Sequence, residues 1–140
     1  LNHGKEFYPK FDRRHDLTAT GSWKLDAKWT LSSTFTYGTG QAYTMGVAAY
    51  ANRMPEGWGT LVLPGAIYNK RLEPYHRLDV GVTKQATFFG LEGSWFIQIY
   101  NVYNHRNVWF KEFDTKKTPV DITDVRLLPI LPTFGIDISF

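Results

Sequence analysis

Histidine, arginine and aspartate occur together in two short segments, RRHDL at 13–17 and YHRLD at 75–79. Neutral imidazole is a common metal ligand, so His15 and His76 are candidates for binding a metal ion or a siderophore. The alternative is that Arg, His and Asp form hydrogen-bonded networks. The sequence favours such networks, because each His lies between charged or polar neighbours without a metal-ligand spacing. We therefore expect neither a metal site nor a cofactor.

Catalytic motifs are missing from the sequence. Ser, His and Asp are present, but not in a G-x-S-x-G, an H-E-x-x-H or a phosphate-binding loop. The segment GTGQAY at 38–43 lacks the Lys and the spacing of a P-loop. We expect that the protein is not an enzyme.

Segment 40–74 could bind a ligand or a protein. It contains Gly and Pro and no sustained alternation, and loops of this length are commonly functional. Aromatic and Arg side chains on loops are typical of binding surfaces, although they could equally pack the loop onto its neighbours. The candidate contacts with a substrate or partner are Tyr43, Tyr50, Arg53, Trp58 and Tyr68.

The composition favours an all-β protein. Aromatic residues make up 16% of the 140 residues, and strands favour aromatic side chains. No apolar run approaches the roughly 20 residues of a spanning helix. The sequence has no Cys, which excludes disulfides and thiolate metal sites. Its net charge of +3 comes with scattered basic residues, which is not the pattern of a nucleic-acid-binding protein.

Apolar and polar residues alternate along 17–25 and 29–37, which predicts a hairpin around the tight turn DAK at 26–28. The same alternation on either side of GLEG at 90–93 predicts a second hairpin. The predicted division is the end of an extracellular loop (1–11), a hairpin (12–39), a long extracellular loop (40–74), a second hairpin (75–104), an extracellular extension (105–120) and a terminal strand (121–140).

Short turns join the strands on one side and long connections join them on the other, which is typical of outer-membrane barrels. We therefore predict an antiparallel transmembrane β-barrel segment of about five long strands. A closed barrel needs about eight strands, so the chain is expected to be part of a larger barrel.

Large aromatic residues occur within a few residues of the short turns, where an interfacial girdle would lie. In a soluble sandwich they would instead fill the end of the core. Lys84 falls among the apolar positions of its strand, which disfavours lipid contact unless the side chain extends to the membrane edge. The predicted girdle residues are Trp23, Trp29, Phe88 and Trp95.

Four stretches make up about half of the chain: FDRRHDLTATGSWKLDAKWTLSSTFTYGTGQAYT, PYHRLDVGVTK, IYNVYNHRN and LLPILPTFGIDISF. Their order and spacing resemble the C-terminal end of the barrel of TonB-dependent outer-membrane transporters, particularly those of the Bacteroidetes-like groups. The middle of segment 40–74 is not covered by the resemblance, and the chain contains neither the plug domain nor the short N-terminal box of such transporters.

The resemblance implies a location in the outer membrane of a Gram-negative cell and active uptake of a nutrient such as a ferric chelate, a cobalamin-like compound or an oligosaccharide. It implies as partners the outer-membrane lipid and lipopolysaccharide, the rest of the barrel with its plug, the barrel-assembly machinery and a TonB-type energy-coupling complex. Nucleic acid is not an expected partner. It also implies an assembly signal in the final strand, formed by Thr133, Gly135, Ile138 and Phe140.

Two other functions remain open from the sequence. One is a passive or structural outer-membrane barrel component that binds through its long loop. The other is a soluble β-sandwich binding module.

Overall fold

Eleven strands form in the part of the chain that the computed structural model describes, which is residues 8–114, 117 and 121–139. They are β1 (Asp16–Lys24), β2 (Trp29–Gly38), β3 (Ala42–Tyr43), β4 (Gly46–Met54), β5 (Gly57–Pro64), β6 (Lys70–Arg71), β7 (Tyr75–Phe88), β8 (Leu91–Tyr100), β9 (Val108–Asp114), β10 (Asp121–Arg126) and β11 (Leu131–Ile138). Every strand pair is antiparallel, so the prediction of an all-β, antiparallel chain is confirmed.

These residues include no helix of the length and apolarity needed to cross a membrane.

The chain divides into two compact units. The first, which we call the sheet unit, consists of 16–38, 75–106 and the described residues from 128 onward. The second, which we call the hairpin unit, consists of the described residues up to His15 together with 39–74 and the described part of 107–127.

The sheet unit contains five strands in the order β1-β2-β7-β8-β11. The sheet is open, because β1 and β11 each pair on one side only within the described residues. Strands β1, β2 and β8 have 9, 10 and 10 residues. These lengths match the roughly 9 to 11 residues of a strand that crosses a bilayer.

The register places most apolar residues of all five strands on one face, as the alternation predicted, because residues directly opposite one another share a face. Phe96 and Leu131 are exceptions that lie on the other face. One row across this apolar face consists of Trp23, Leu31, Val82, Ile97 and Phe134. The adjacent row on the other, polar face consists of Ser22, Ser32, Gly81, Gln98 and Thr133.

Both hairpins of the sheet unit have tight turns. The Asp26 carboxylate accepts hydrogen bonds from the backbone N–H groups of Lys28 (2.7 Å) and Trp29 (2.8 Å), and these bonds lower the pKa of Asp26. The second turn consists of Phe89 and Gly90, whose φ angles are 52° and 85°. It begins one residue before the GLEG segment at 90–93 that the sequence indicated as the turn. Positive φ at both central residues is the geometry of a two-residue hairpin that follows the strand twist.

Strand β8 ends at Tyr100, where Asn101 adopts a φ of 54°. The apolar alternation is lost here because Asn101 turns the chain out of the sheet. From its sequence, 105–114 was expected to continue β8, but it does not. Asn101 is 1% exposed, and its side-chain amide donates to the backbone carbonyls of His105 and Leu128. Its Oδ1 accepts the His105 N–H at 3.0 Å, so one buried side chain fixes this turn.

The hairpin unit contains three two-stranded pairs, β3–β6, β4–β5 and β10–β9. The long loop predicted over 40–74 therefore has regular structure, with a hairpin between Gly46 and Pro64 inside the short β3–β6 pair. The single terminal strand predicted over 121–140 is also divided. Its first part, β10, pairs with β9, while β11 pairs with β8 in the sheet unit.

Very little of the chain is buried. Ala42 is the only buried apolar side chain among residues 8–46, 49–114, 117 and 121–139. On the apolar face of the sheet, Phe134 is 86% exposed and Trp23 is 67% exposed. A soluble domain of about 150 residues removes roughly two thirds of its surface from water on folding, so this apolar face lacks the cover that such a domain provides.

Candidate functional site

The polar face of the sheet carries a groove with a volume of about 390 Å³. Its floor includes Ser32, Gly81, Gln98 and Thr133 of the polar row, and the next row adds Thr34 opposite Asp79. Six lining side chains on this face bear hydroxyl, amide or carboxylate groups that suit a polar ligand, and they are Ser32, Thr34, Asp79, Gln98, Tyr100 and Thr133. Ser33, Val80, Ile99 and Leu131 also line the groove.

An ion pair braces one end of the groove. The Arg77 guanidinium lies 2.8 Å from Asp79 Oδ2 through Nη2 and donates to the same oxygen from Nε at 3.0 Å. Arg77 Nη1 also donates to the hydroxyls of Tyr75 (2.9 Å) and Tyr100 (2.6 Å), and the guanidinium lies 4.0 Å from the centre of the Tyr100 ring. Asp79 Oδ1 accepts the backbone N–H of Asn101 at 2.9 Å. The charges of this network are therefore matched within the sheet.

The floor of the groove contains both engaged and available polar groups. Ser32 Oγ donates to the Gly81 carbonyl and Thr133 Oγ1 donates to the Gln98 carbonyl, each at 3.3 Å. A methyl group on Gly81 would lie 2.7 Å from Ser32 Oγ, so glycine at this position lets the neighbouring strands approach. The Gln98 side chain is exposed and makes no hydrogen bond to another described residue.

The predicted girdle residues lie on the apolar face, toward the end of the sheet with the tight turns. Trp29 and Trp95 each lie directly opposite Lys84, and their rings meet edge to face with centroids 5.4 Å apart. Trp23 lies one row away and Phe88 is the last residue of β7. The apolar face therefore carries an aromatic row with one cation at this end, and the girdle role stays a prediction.

The predicted contacts of segment 40–74 lie in the hairpin unit and do not form one site. Arg53 and the 79% exposed Trp58 are opposite one another near the tip of the β4–β5 hairpin. Tyr50 lies on the other face of this hairpin, because its position differs from that of Arg53 by an odd number of residues. Tyr68 is in a turn, where its N–H donates to Thr44 Oγ1 at 3.0 Å.

Tyr43 lines a separate, open cavity of about 640 Å³ within the hairpin unit. Lys111 and Arg126 both reach the Asp124 carboxylate there, Arg126 at 3.1 Å. The hydrogen bond between Lys111 and Asp124 raises the pKa of Lys111 and lowers the pKa of Asp124. Both basic side chains bind the same carboxylate. The remaining lining residues are Met45, Ile122 and Thr123.

Arg71 anchors both ends of segment 40–74. Its guanidinium pairs with the Asp12 carboxylate and donates to the carbonyls of Asp12 and Gly40, each at 3.1 Å. The Tyr8 ring lies 5.0 Å from the same guanidinium. A methyl group on Gly40 would lie 1.7 Å from the Leu72 carbonyl oxygen, so only glycine allows this close crossing.

The histidines of the two segments 13–17 and 75–79 belong to different units of the chain. His15 belongs to the hairpin unit, whereas the His76 ring stacks on His105 with centroids 3.8 Å apart and an interplanar angle of 21°. His76 Nδ1 is 2.8 Å from the Tyr103 hydroxyl. No group of three or more His, Cys, Asp or Glu side chains that could hold a metal ion occurs in the described ranges.

The predicted assembly-signal residues lie along β11, except Phe140, which is outside the described residues. Thr133 and Gly135 are on the polar face and Ile138 is on the apolar face. The reason for glycine at 135 is local packing, because a methyl group there would lie 2.4 Å from Phe96 Cζ. Phe96 was missed by the sequence analysis, although a Phe at a polar-face position was a visible break in the pattern.

Comparisons with protein-family models, with curated proteins and with solved structures found no match.

Proposed function

We propose that the chain forms part of the wall of a TonB-dependent outer-membrane transporter that takes up a nutrient such as a ferric chelate, a cobalamin-like compound or an oligosaccharide. The observation that carries the proposal is the uncovered apolar face of the sheet. A five-stranded sheet with Trp23, Leu31 and Phe134 in water would be a strong aggregation hazard, whereas hydrocarbon is a suitable environment for these side chains.

The polar face supports the same proposal. Thr and Ser hydroxyls on this face suit a hydrated lumen, and outer-membrane strands alternate apolar and polar residues in this way. In the proposed arrangement, the apolar face contacts lipid, and the polar face contacts water and a plug supplied by the rest of the transporter. Strands β1 and β11 pair with the remaining strands of the barrel, and the parent protein reaches the TonB-type complex through its own N-terminal part.

The apolar and polar residues lie on opposite faces of the sheet, so site-directed spin labelling can test whether one face contacts lipid and the other contacts water. The sequence has no Cys, so every engineered thiol is unique. Nitroxide labels at Val80, Val82 and Phe35 should be reached by lipid-soluble oxygen, and labels at Thr83 and Gln85 by a water-soluble nickel chelate. The protein is measured in bilayers of outer-membrane lipid.

A period of two in the oxygen-to-nickel accessibility ratio along β7 supports the proposal. Uniform access by the nickel chelate would mean that the apolar face is in water. Uniform exclusion of both probes would mean that protein covers it, as in a soluble sandwich. Either result overturns the proposal.

A further inference from the structure

The groove on the polar face has the chemistry of a carbohydrate subsite. We propose that it binds one ring of a neutral oligosaccharide. This inference rests on the proposed function, because the ligand is the transported nutrient, held on the barrel wall. Oligosaccharide is thereby selected from the three substrate classes that the proposed function leaves open.

The charge of the groove favours an uncharged ligand. Asp79 is the only charged lining side chain, and Arg77 pairs with it through two nitrogens at 2.8 and 3.0 Å. No lining cation is left to neutralise an anionic chelate, and binding an anion beside a carboxylate would be unfavourable. A neutral polar molecule meets no such cost.

The polar lining groups match sugar hydroxyls. The Ser32 hydroxyl donates to the Gly81 carbonyl and can still accept, and the Thr34 hydroxyl lies 3.4 Å from that of Thr20. The Gln98 amide supplies two donors and a carbonyl acceptor. Because the Gln98 amide has no side-chain hydrogen bond within the described residues, a ligand can engage it without breaking an existing contact. A sugar carries several hydroxyls on one ring and can satisfy these groups together.

Tyr100 provides the aromatic surface of the site. Sugar rings present apolar C–H faces as well as hydroxyls, and an aromatic ring with a polar tip suits both. Arg77 fixes this ring, because it donates to the Tyr100 hydroxyl at 2.6 Å and stacks 4.0 Å from the ring centre. A prealigned ring loses little entropy when a ligand binds. The volume of about 390 Å³ lies in the range of small-molecule sites, roughly 300 to 1,000 Å³.

The test uses the detergent-purified protein and three probes: maltohexaose, cellohexaose and ferric citrate as an anionic control. Saturation-transfer NMR detects binding and gives the dissociation constant by titration. We expect transfer to ring C–H protons of at least one neutral hexasaccharide and no competition by ferric citrate.

The decisive variant is Gln98→Leu, which keeps the side-chain size and removes the amide. Loss of a hydrogen bond should weaken sugar binding by about threefold to tenfold. The matched control is Gln85→Leu, which changes an exposed glutamine on the same polar face, opposite Ser94 and outside the groove. Thr34→Val is a second groove variant that removes one hydroxyl at nearly constant shape.

Weaker binding in Gln98→Leu and Thr34→Val, with unchanged binding in Gln85→Leu, supports the inference. Absence of sugar binding, binding of ferric citrate alone, or equal losses in all three variants overturns it. The spin-label accessibility of β7 is read independently on labelled protein. A period of two without sugar binding therefore refutes only the carbohydrate site, whereas sugar binding without that period refutes the transporter.

Discussion

The ammonium group of Lys84 lies 4.7 Å from the centre of the Trp29 ring, on the apolar face of the sheet. A lysine among lipid-facing residues looked unfavourable from the sequence alone. Trp29 and Trp95 flank it on the neighbouring strands, in the row nearest the turn at 25–28. A cation over an indole ring is an attractive contact, and tryptophan is typical of the membrane interface.

The sign of the Lys84→Met effect on the free energy of unfolding should report the depth of this row. At the interface a charge has a cost near zero, so loss of the cation–π contact should destabilise the protein by about 0.5 to 1 kcal/mol. At the bilayer midplane the charge would cost about 2 to 4 kcal/mol, and the same substitution would stabilise it. Urea unfolding from lipid vesicles measures the difference. In a Trp29→Leu background the effect at the interface should disappear.

Leu31→Arg should impair membrane assembly far more than Thr34→Arg. The first substitution places a cation in a row of apolar residues, at a cost of about 2 to 4 kcal/mol at the midplane. The second places it opposite Asp79 on the polar face. The amount of protein recovered in the outer membrane is compared by immunoblot. Equal losses for the two variants would mean that both faces of the sheet are in the same environment.

Gly135→Ala should destabilise the sheet by about 1 to 3 kcal/mol, because the added methyl group would lie 2.4 Å from Phe96 Cζ. Phe96→Leu should relieve much of this loss in the double variant. Gly21→Ala is the control, since a methyl group there has no atom within 4 Å. Its effect should stay within about 0.5 kcal/mol. The thermal unfolding midpoints of the four variants show whether position 135 needs glycine because of packing against Phe96 or because of its backbone conformation.

Acid should loosen the β9–β10 hairpin before it affects the rest of the hairpin unit. The hydrogen bond from Lys111 lowers the pKa of Asp124, so the carboxylate is bound more favourably in the folded state than in the unfolded state. This stabilisation is complete above the ordinary carboxyl pKa of about 3.9 and is lost as pH falls through the lower folded-state value. The protection factors of amides in 108–114 and 121–126, which correct for the intrinsic pH dependence of hydrogen exchange, should therefore decrease at pH values below about 4.

Asp124→Asn should reduce the acid dependence of protection in this hairpin, because no carboxyl proton can then be taken up at 124. The part that remains is expected from Asp121, whose pKa is lowered by its hydrogen bond to Lys117. Asp16→Asn, in the sheet unit, is a control that should leave the dependence intact. The contrary result, an unchanged acid response in Asp124→Asn, would assign the effect to another carboxylate.

The long alternating strands were predictable because a period of two runs through most of each strand, with breaks such as Lys84 and Phe96. Leu31 and Val82, for example, fall opposite one another as the pattern requires. The hairpin at 46–64 escaped prediction because alanine and glycine dilute its alternation, as at Ala49, Ala51 and Gly59. Small residues give a weak periodic signal even where the backbone pairs regularly.

The end of β8 and the start of β11 could not be predicted from the sequence, because they depend on contacts between residues far apart in the chain. Asn104 Oδ1 accepts the Ile130 N–H at 3.0 Å, and Asn101 reaches the Leu128 carbonyl at 3.2 Å. These bonds fix the segment between β10 and β11, which contains Pro129. No local sequence pattern predicts them. The Arg77–Tyr100 pair is of the same kind, since these residues are adjacent only once β7 and β8 are in register.

Gly38 at the end of β2 is paired with Tyr75 at the start of β7, so the segment between them leaves and re-enters the sheet at one place. Its length and sequence can therefore change without altering the spacing of the strands below. In evolutionary terms this is a position at which a binding surface can diversify while the sheet stays constant. For protein engineering, it is the place where an epitope or a whole binding module could be inserted.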